Sequence, residues 1–163
     1  MIKRIITLSI MVFLVLIWFV SNSIGDSLET DLGEENMKPL TIKSGERKLE
    51  LEPNVICSNL EDCKDSQTHT LDGKAPAYPT LNNVHSGDEI IVDFKKMNPD
   101  EKGLTTIRNG NQLVGHLKNN RIEVIHEGAD IVRYKVYAKW KNKQNDLYGI
   151  LVYMFEANIS HKS

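Results

Sequence analysis

The clearest pattern along the chain is an alternation from Ile131 to Trp140, with Val132, Tyr134, Val136, Ala138 and Trp140 on one side and Arg133, Lys135, Tyr137 and Lys139 on the other. A period of two sends successive side chains to opposite faces of a strand, so this spacing predicts a strand with its aliphatic and aromatic side in a core. Glu89 to Phe94 repeats the pattern through Ile90, Val92 and Phe94, after a turn at Ser86-Gly87-Asp88. Leu147 to Ile159 is apolar on both sides through Tyr148, Ile150, Leu151, Val152, Tyr153, Met154 and Phe155, which suits a central strand covered on two faces. Between the two long segments, Lys141 to Asp146 is polar and contains Asn142, Asn145 and Asp146, residues that tolerate tight turns, so a hairpin is expected there. Weaker strands are predicted at Leu40–Lys43, Lys48–Leu51, Thr105–Arg108, Gln112–Leu117 and Arg121–Ile125, punctuated by Ser44-Gly45, Asn109-Gly110 and Asn119-Asn120. Seven or eight short strands without a strong amphipathic helix predict a mostly β fold, an antiparallel two-sheet sandwich in preference to a barrel.

The N-terminus follows a different rule. Ile5 to Val20 is apolar apart from Thr7 and Ser9, and Lys3 and Arg4 precede it. This run falls just short of the roughly 17–25 residues that span a bilayer, and Ser21 to Ile24 would complete the length of a transmembrane helix. Cations at the short leading end stay in the cytoplasm, so the rest of the chain is expected outside. Two fates stay open: an uncleaved signal anchor, favoured by the bulky Trp18-Phe19-Val20, or a signal peptide removed at the small residues Ser21-Asn22-Ser23. The corresponding addresses are a single-pass membrane protein with its C-terminal domain outside, or a secreted protein. No Cys follows the apolar run closely enough to carry a lipid anchor. Residues 25–38, with Asp26, Glu29, Asp31, Glu34 and Glu35, read as an acidic linker, with a short packed helix as the alternative. Residues 39–160 form the expected β domain.

Composition narrows the function classes. With 40% hydrophobic and 26% charged residues the chain lies in the range of folded proteins, and about 120 residues can bury a single core without dense disulfides. The formal charge is −2, with Lys3 and Arg4 lying ahead of every acidic residue. Nucleic-acid binding needs clustered cations to displace counterions from phosphates, and this charge balance argues against it.

The order Ser86-Gly87-Asp88-Glu89-Ile90-Ile91-Val92-Asp93-Phe94, Asn98-Pro99, Arg121-Ile122-Glu123-Val124 and Glu127-Gly128, leading into Tyr134-Lys135-Val136-Tyr137-Ala138-Lys139-Trp140, carries a resemblance. It resembles the C-terminal Ig-like module of small exported, membrane- or lipid-anchored proteins of spore-forming Gram-positive bacteria. Leu147 to Phe155 matches their aromatic-rich last strand, and the match covers about half the chain. The resemblance implies an Ig-like antiparallel β-sandwich of about seven strands and an exported address, and implies no reaction. In place of the Trp-bearing strand such relatives carry near the start of the domain, this chain has Leu49 to Cys63.

Candidate chemistry is sparse. Cys57 and Cys63 are two cysteines close together in a loop-like stretch, and in an oxidising exterior such a pair is expected to form a disulfide. Free thiols or a redox or metal role are the alternatives, although redox pairs more often have two intervening residues. His69, His85, His116, His126 and His161 share no ligand spacing, and Asp62, Asp65, Asp72 and Asp88 do not form a calcium loop. Neither a metal site nor a cofactor is expected. Ser44-Gly45 lacks the frame of a nucleophile elbow, and no catalytic residue is assigned. Arg133, Lys135, Tyr137 and Lys139 form the candidate binding set, an aromatic beside cations on the outward side of a strand. The sequence therefore points to a non-enzymatic extracytoplasmic binding or envelope-interaction module. Its expected partners are the membrane, through the N-terminal helix, and a wall polymer or envelope protein. The alternatives are an envelope enzyme using the Cys57 to His85 region, and self-association through an exposed edge strand.

Overall fold

A computed structural model describes residues 30–65, 78–95, 97–125 and 128–160. The chain is mostly β and builds two sheets. Its strands are β1 (Leu40–Ser44), β2 (Arg47–Leu51), β3 (Asn54–Cys57), β4 (Thr80–His85), β5 (Glu89–Asp93), β6 (Glu101–Arg108), β7 (Asn111–His116), β8 (Arg121–Glu123), β9 (Ile131–Lys141) and β10 (Leu147–Ser160). A six-residue helix, α1 (Leu60–Asp65), follows β3. The smaller sheet has the order β2-β1-β5-β8, and the larger has β3-β10-β9-β6-β7 with β4 also paired to β10. All pairings are antiparallel except β4 with β10.

The expected strands recur with small shifts at their ends, and the described residues hold ten strands, the eight expected segments and two more. β3 and β4 are the additions. Both lie along one edge of β10, β3 against Ile150–Val152 and β4 against Glu156–Ser160. Pairing on both edges makes β10 the central strand that its two-sided apolarity predicts. The loop expected between Cys57 and Cys63 contains α1, whose first turn is capped by Asn59, with its Oδ1 accepting from the Asp62 amide at 2.8 Å.

One core lies between the sheets. From the larger sheet, Val132, Tyr134, Val136, Ala138 and Trp140 of β9 point inward, facing across the ladder Ala157, Phe155, Tyr153, Leu151 and Gly149 of β10. Small residues oppose large ones, Ala138 against Leu151 and Ala157 against Val132, so the layer interdigitates without overpacking. Tyr134 and Phe155 stack with ring centroids 4.9 Å apart. From the smaller sheet come Leu40, Ile42, Leu51, Ile90, Val92 and Ile122, also buried. Each buried aliphatic or aromatic side chain of this kind contributes about 1.5–3 kcal/mol of transfer free energy.

The turns carry the residues their geometry requires. Between β6 and β7, Asn109 and Gly110 have φ of 49° and 81°, the paired positive values of a two-residue hairpin turn whose twist matches the strands. Between β9 and β10, the buried Asn142 accepts through Oδ1 from the amides of Gln144 and Asp146, tying the turn to its own side chain.

The N-terminal expectations fall largely outside the described residues, and where the chain is described the linker reading is corrected. The apolar segment 1–24 lies outside the described residues, and among the described residues no helix is long and apolar enough to cross a membrane. Residues 25–29 of the expected linker lie outside them too. From Thr30 onward the chain is attached to the domain. Leu32 is 4% exposed, its amide donates to the Ser58 carbonyl, and the Leu60 amide donates to the Thr30 carbonyl. Leu32 lies against Gly149, where an added Cβ would come within 3.0 Å of it. The solvated tether therefore does not extend to residue 38; burying one leucine beside a glycine joins its second half to the sandwich.

Candidate functional site

The outward side of β9 carries the four candidate residues in a row, and the ladder fixes their neighbours. Arg133 lies between Glu156 of β10 and Ile107 of β6, Lys135 between Met154 and Thr105, Tyr137 between Val152 and Gly103, and Lys139 between Ile150 and Glu101. The structure thus places all four on one face, as the alternation requires, and then divides them by environment.

Arg133 belongs to a tied cluster at one end. Its Nε lies 3.4 Å from Glu156 Oε2, and its guanidinium lies over the Tyr78 ring at 5.3 Å. Glu156 in turn accepts from Thr80 Oγ1 at 3.0 Å. The arginine side of the pair is exposed and the pair contributes little stability, but it neutralises Arg133. Lys135 stands over the buried Thr105 and Met154.

Tyr137 and Lys139 line a groove of about 850 Å³ that runs across the outer face of the larger sheet. Its walls come from four neighbouring strands and β3. Ile56 and Ile150 stand on one side, Val114 and His116 on the other, and Gly103 lies in the floor. A Cβ at Gly103 would lie 3.5 Å from Tyr137 Cβ and 3.7 Å from its ring carbon Cδ2, ordinary contact distances, so the tyrosine lies directly alongside this glycine. The contact sets an aromatic side chain beside the floor of the groove.

Charge is concentrated at one end. Glu101 forms a close ion pair with Lys141, which holds its carboxyl below the usual carboxylate range, with smaller contributions from Lys139 and His116. Lys139 and Glu101, the latter paired to Lys141, thus lie at one end of a trough whose remaining lining mixes Ile56, Val114 and Ile150 with Thr105, Gln112 and His116. Such a groove suits an extended ligand with an apolar or ring-bearing stretch and an anionic group near one end.

Cys57 ends β3 and Cys63 lies in α1, and the two form the expected disulfide, with Cα atoms 5.2 Å apart. Both thiols are consumed by it. Closing so short a loop contributes about 2 kcal/mol on the chain-entropy view and pins α1 beside β10. Among the described residues no three His, Cys, Asp or Glu side chains gather as a metal-holding group. His85 instead lies 3.5 Å from Asp88 in the β4–β5 turn, where Asp88 also accepts from the His85 amide. His69, Asp72, His126 and His161 lie outside the described residues.

Sequence reasoning identified Tyr137 and Lys139 but missed Ile56, Glu101, Gly103, Val114, His116 and Ile150. The signal that could have found them is register: extending β6 back to Glu101 and pairing it with β9 places Gly103 opposite Tyr137 and Glu101 opposite Lys139.

The architecture defines the chain as a two-sheet, antiparallel β-sandwich protein. No protein-family model, curated protein or solved structure matches it.

Proposed function

We propose that this chain is a non-catalytic binding module displayed outside the cytoplasmic membrane behind its N-terminal apolar segment, and that the groove at Tyr137 and Lys139 receives a wall polymer or a segment of an envelope protein. The observation that carries this reading is the groove itself, with the Tyr137 side chain beside Gly103 in its floor and the Lys139 ammonium at one end. An Ig-like connectivity is part of the proposal. In support, β5 and β8 lie in one sheet while β6, β7, β9 and β10 lie in the other, so the chain crosses between layers as Greek-key sandwiches do.

The test is retention on purified cell wall and on envelope extract. Tyr137→Ala with Lys139→Ala is expected to abolish most of the retention, whereas Arg133→Ala, outside the groove and already neutralised by Glu156, is expected to leave it unchanged. Retention of the groove variant at the wild-type level would overturn the assignment.

The competing reading, an envelope enzyme in the Cys57 to His85 region, needs a reactive thiol or a metal. The bridge between Cys57 and Cys63 weighs against the thiol version. Metal analysis of the purified chain addresses the other.

A further inference from the structure

Among the described residues, three of the four sheet edges are defended against pairing with another chain. β2 has Arg47, Lys48 and Glu50 among its five residues, and β8 is three residues long with Arg121 and Glu123. The edge shared by β3 and β4 is split between two short strands, and the second is broken at Asn83, whose φ is 55° and whose carbonyl accepts from the Arg47 guanidinium. Charge, shortness and irregularity are the devices by which natural edges avoid strand addition.

The fourth edge, β7, has none of them. Asn111-Gln112-Leu113-Val114-Gly115-His116 contains no Lys, Arg, Asp, Glu or Pro, and all six residues are exposed. Leu113 and Val114 are 72% and 75% exposed, the two most exposed large hydrophobics among the described residues. The strand is regularly paired to β6 from Arg108–Asn111 to Gly103–His116 without a register shift.

Geometry also selects the partner. In a two-residue hairpin the closing pair, here Arg108 and Asn111, exchanges main-chain hydrogen bonds, and bonded and non-bonded pairs alternate from there. The Leu117 amide donating to the Lys102 carbonyl at 3.0 Å keeps the same phase. Gln112, Val114 and His116 therefore aim both their amides and their carbonyls away from β6. A second copy running antiparallel, with a two-fold axis at Val114, sets Val114 against Val114 and Gln112 against His116, so every outward main-chain group of the edge finds a partner. The alternative axis at Leu113 leaves the His116 groups unpaired.

We infer that two copies of this chain associate through β7, paired antiparallel about Val114, joining the two larger sheets into one. Gln112, Val114 and His116 also line the groove, so the pairing sets two grooves end to end across the axis and each copy supplies a wall to the other's site. The inference rests on the edge and does not depend on the groove's ligand. So small a contact gives a weak dimer, reached at high local concentration.

The test uses the full chain in mild detergent. Val114→Cys places two thiols on a bonded pair with Cα atoms about 5.5 Å apart, within bridging range, whereas Leu113→Cys leaves them about 7–8 Å apart on a diagonal. Oxidation is expected to give a covalent dimer with V114C and little with L113C. In sedimentation equilibrium the wild type is expected to dimerise with concentration. V114P, which removes only an outward-facing amide, should lower the dimer fraction by about tenfold or more. A wild type that stays monomeric, a V114P that dimerises like wild type, or an L113C that cross-links as readily as V114C would each overturn the inference.

Discussion

The two faces of β9 come from one alternation but differ in what fixes their residues. On the inner face each side chain is set by close packing against β10 and the opposite sheet, with Val132, Val136 and Ala138 wholly buried. On the outer face the residues are partly exposed, and Arg133 is tied by its charge pair with Glu156. A strand can thus be structural on one side and, on the proposed reading, open to ligand on the other. Changes on the inner side should be read in stability, and changes on the outer side in binding.

The largest effect that would test this division is on the inner side. Phe155→Ala empties a wholly buried site stacked on Tyr134 and is expected to cost about 3–5 kcal/mol in urea unfolding. A loss under 1 kcal/mol, on the order of a surface change, would mean that the two sheets are not packed as described.

Two buried tyrosines sharpen the comparison. Tyr153 donates its hydroxyl to the Lys38 carbonyl at 2.9 Å, whereas the Tyr134 hydroxyl finds no hydrogen-bond partner among the described residues. Tyr153→Phe is expected to cost about 1 kcal/mol, and Tyr134→Phe to be neutral or slightly stabilising, because it removes an unsatisfied polar group. Both phenols also titrate high. Burial pushes Tyr134 up to about 12, with Arg108 acting weakly in the other direction. Burial likewise pushes Tyr153 upward, aided by the Glu52 charge. A folded pKa above the unfolded value near 10 stabilises the fold fully below pH 10. That stability is lost as pH rises toward the folded values, because the unfolded chain releases protons the folded one retains. Unfolding measured between pH 9 and pH 12, values set by the phenol range, should show stability falling by up to about 1.4 kcal/mol per pH unit for each tyrosine, and less steeply in Tyr134→Phe.

The smallest expected effect is on the outer side. Lys135→Ala should leave stability within about 0.5 kcal/mol of wild type, since the lysine is a half-buried residue on the outer face, flanked in register by Thr105 and Met154, and belongs to no part of the core. A larger loss would mean that the lysine stem covers part of that surface.

How much was legible follows the same division. The strands β5, β9 and β10 and the turns at Asn109-Gly110 and Lys141–Asp146 were readable because local alternation and turn chemistry determine them. β3 and β4 were not. Pro53-Asn54 and Asn82-Asn83 look like turn signals, and only pairing with β10, far along the chain, makes these segments strands. α1 was hidden because six residues give too little periodicity, and a cap and a bridge hold it instead. The outward row on β9 was visible in advance, whereas the groove was not. Its other walls depend on which residues of β6, β7 and β3 come opposite that row, and Glu101-Lys102-Gly103 has no alternation to announce a strand.

The position of β10 also bears on the order of assembly. Its hairpin with β9 closes over a short turn, but its pairings with β3 and β4 join segments some seventy to a hundred residues apart. A chain made from its N-terminus therefore holds β3 and β4 without their shared neighbour until residue 160 has been synthesised. Interrupting translation before that point would leave two unsheltered strands, and chaperone demand should be greatest in that interval.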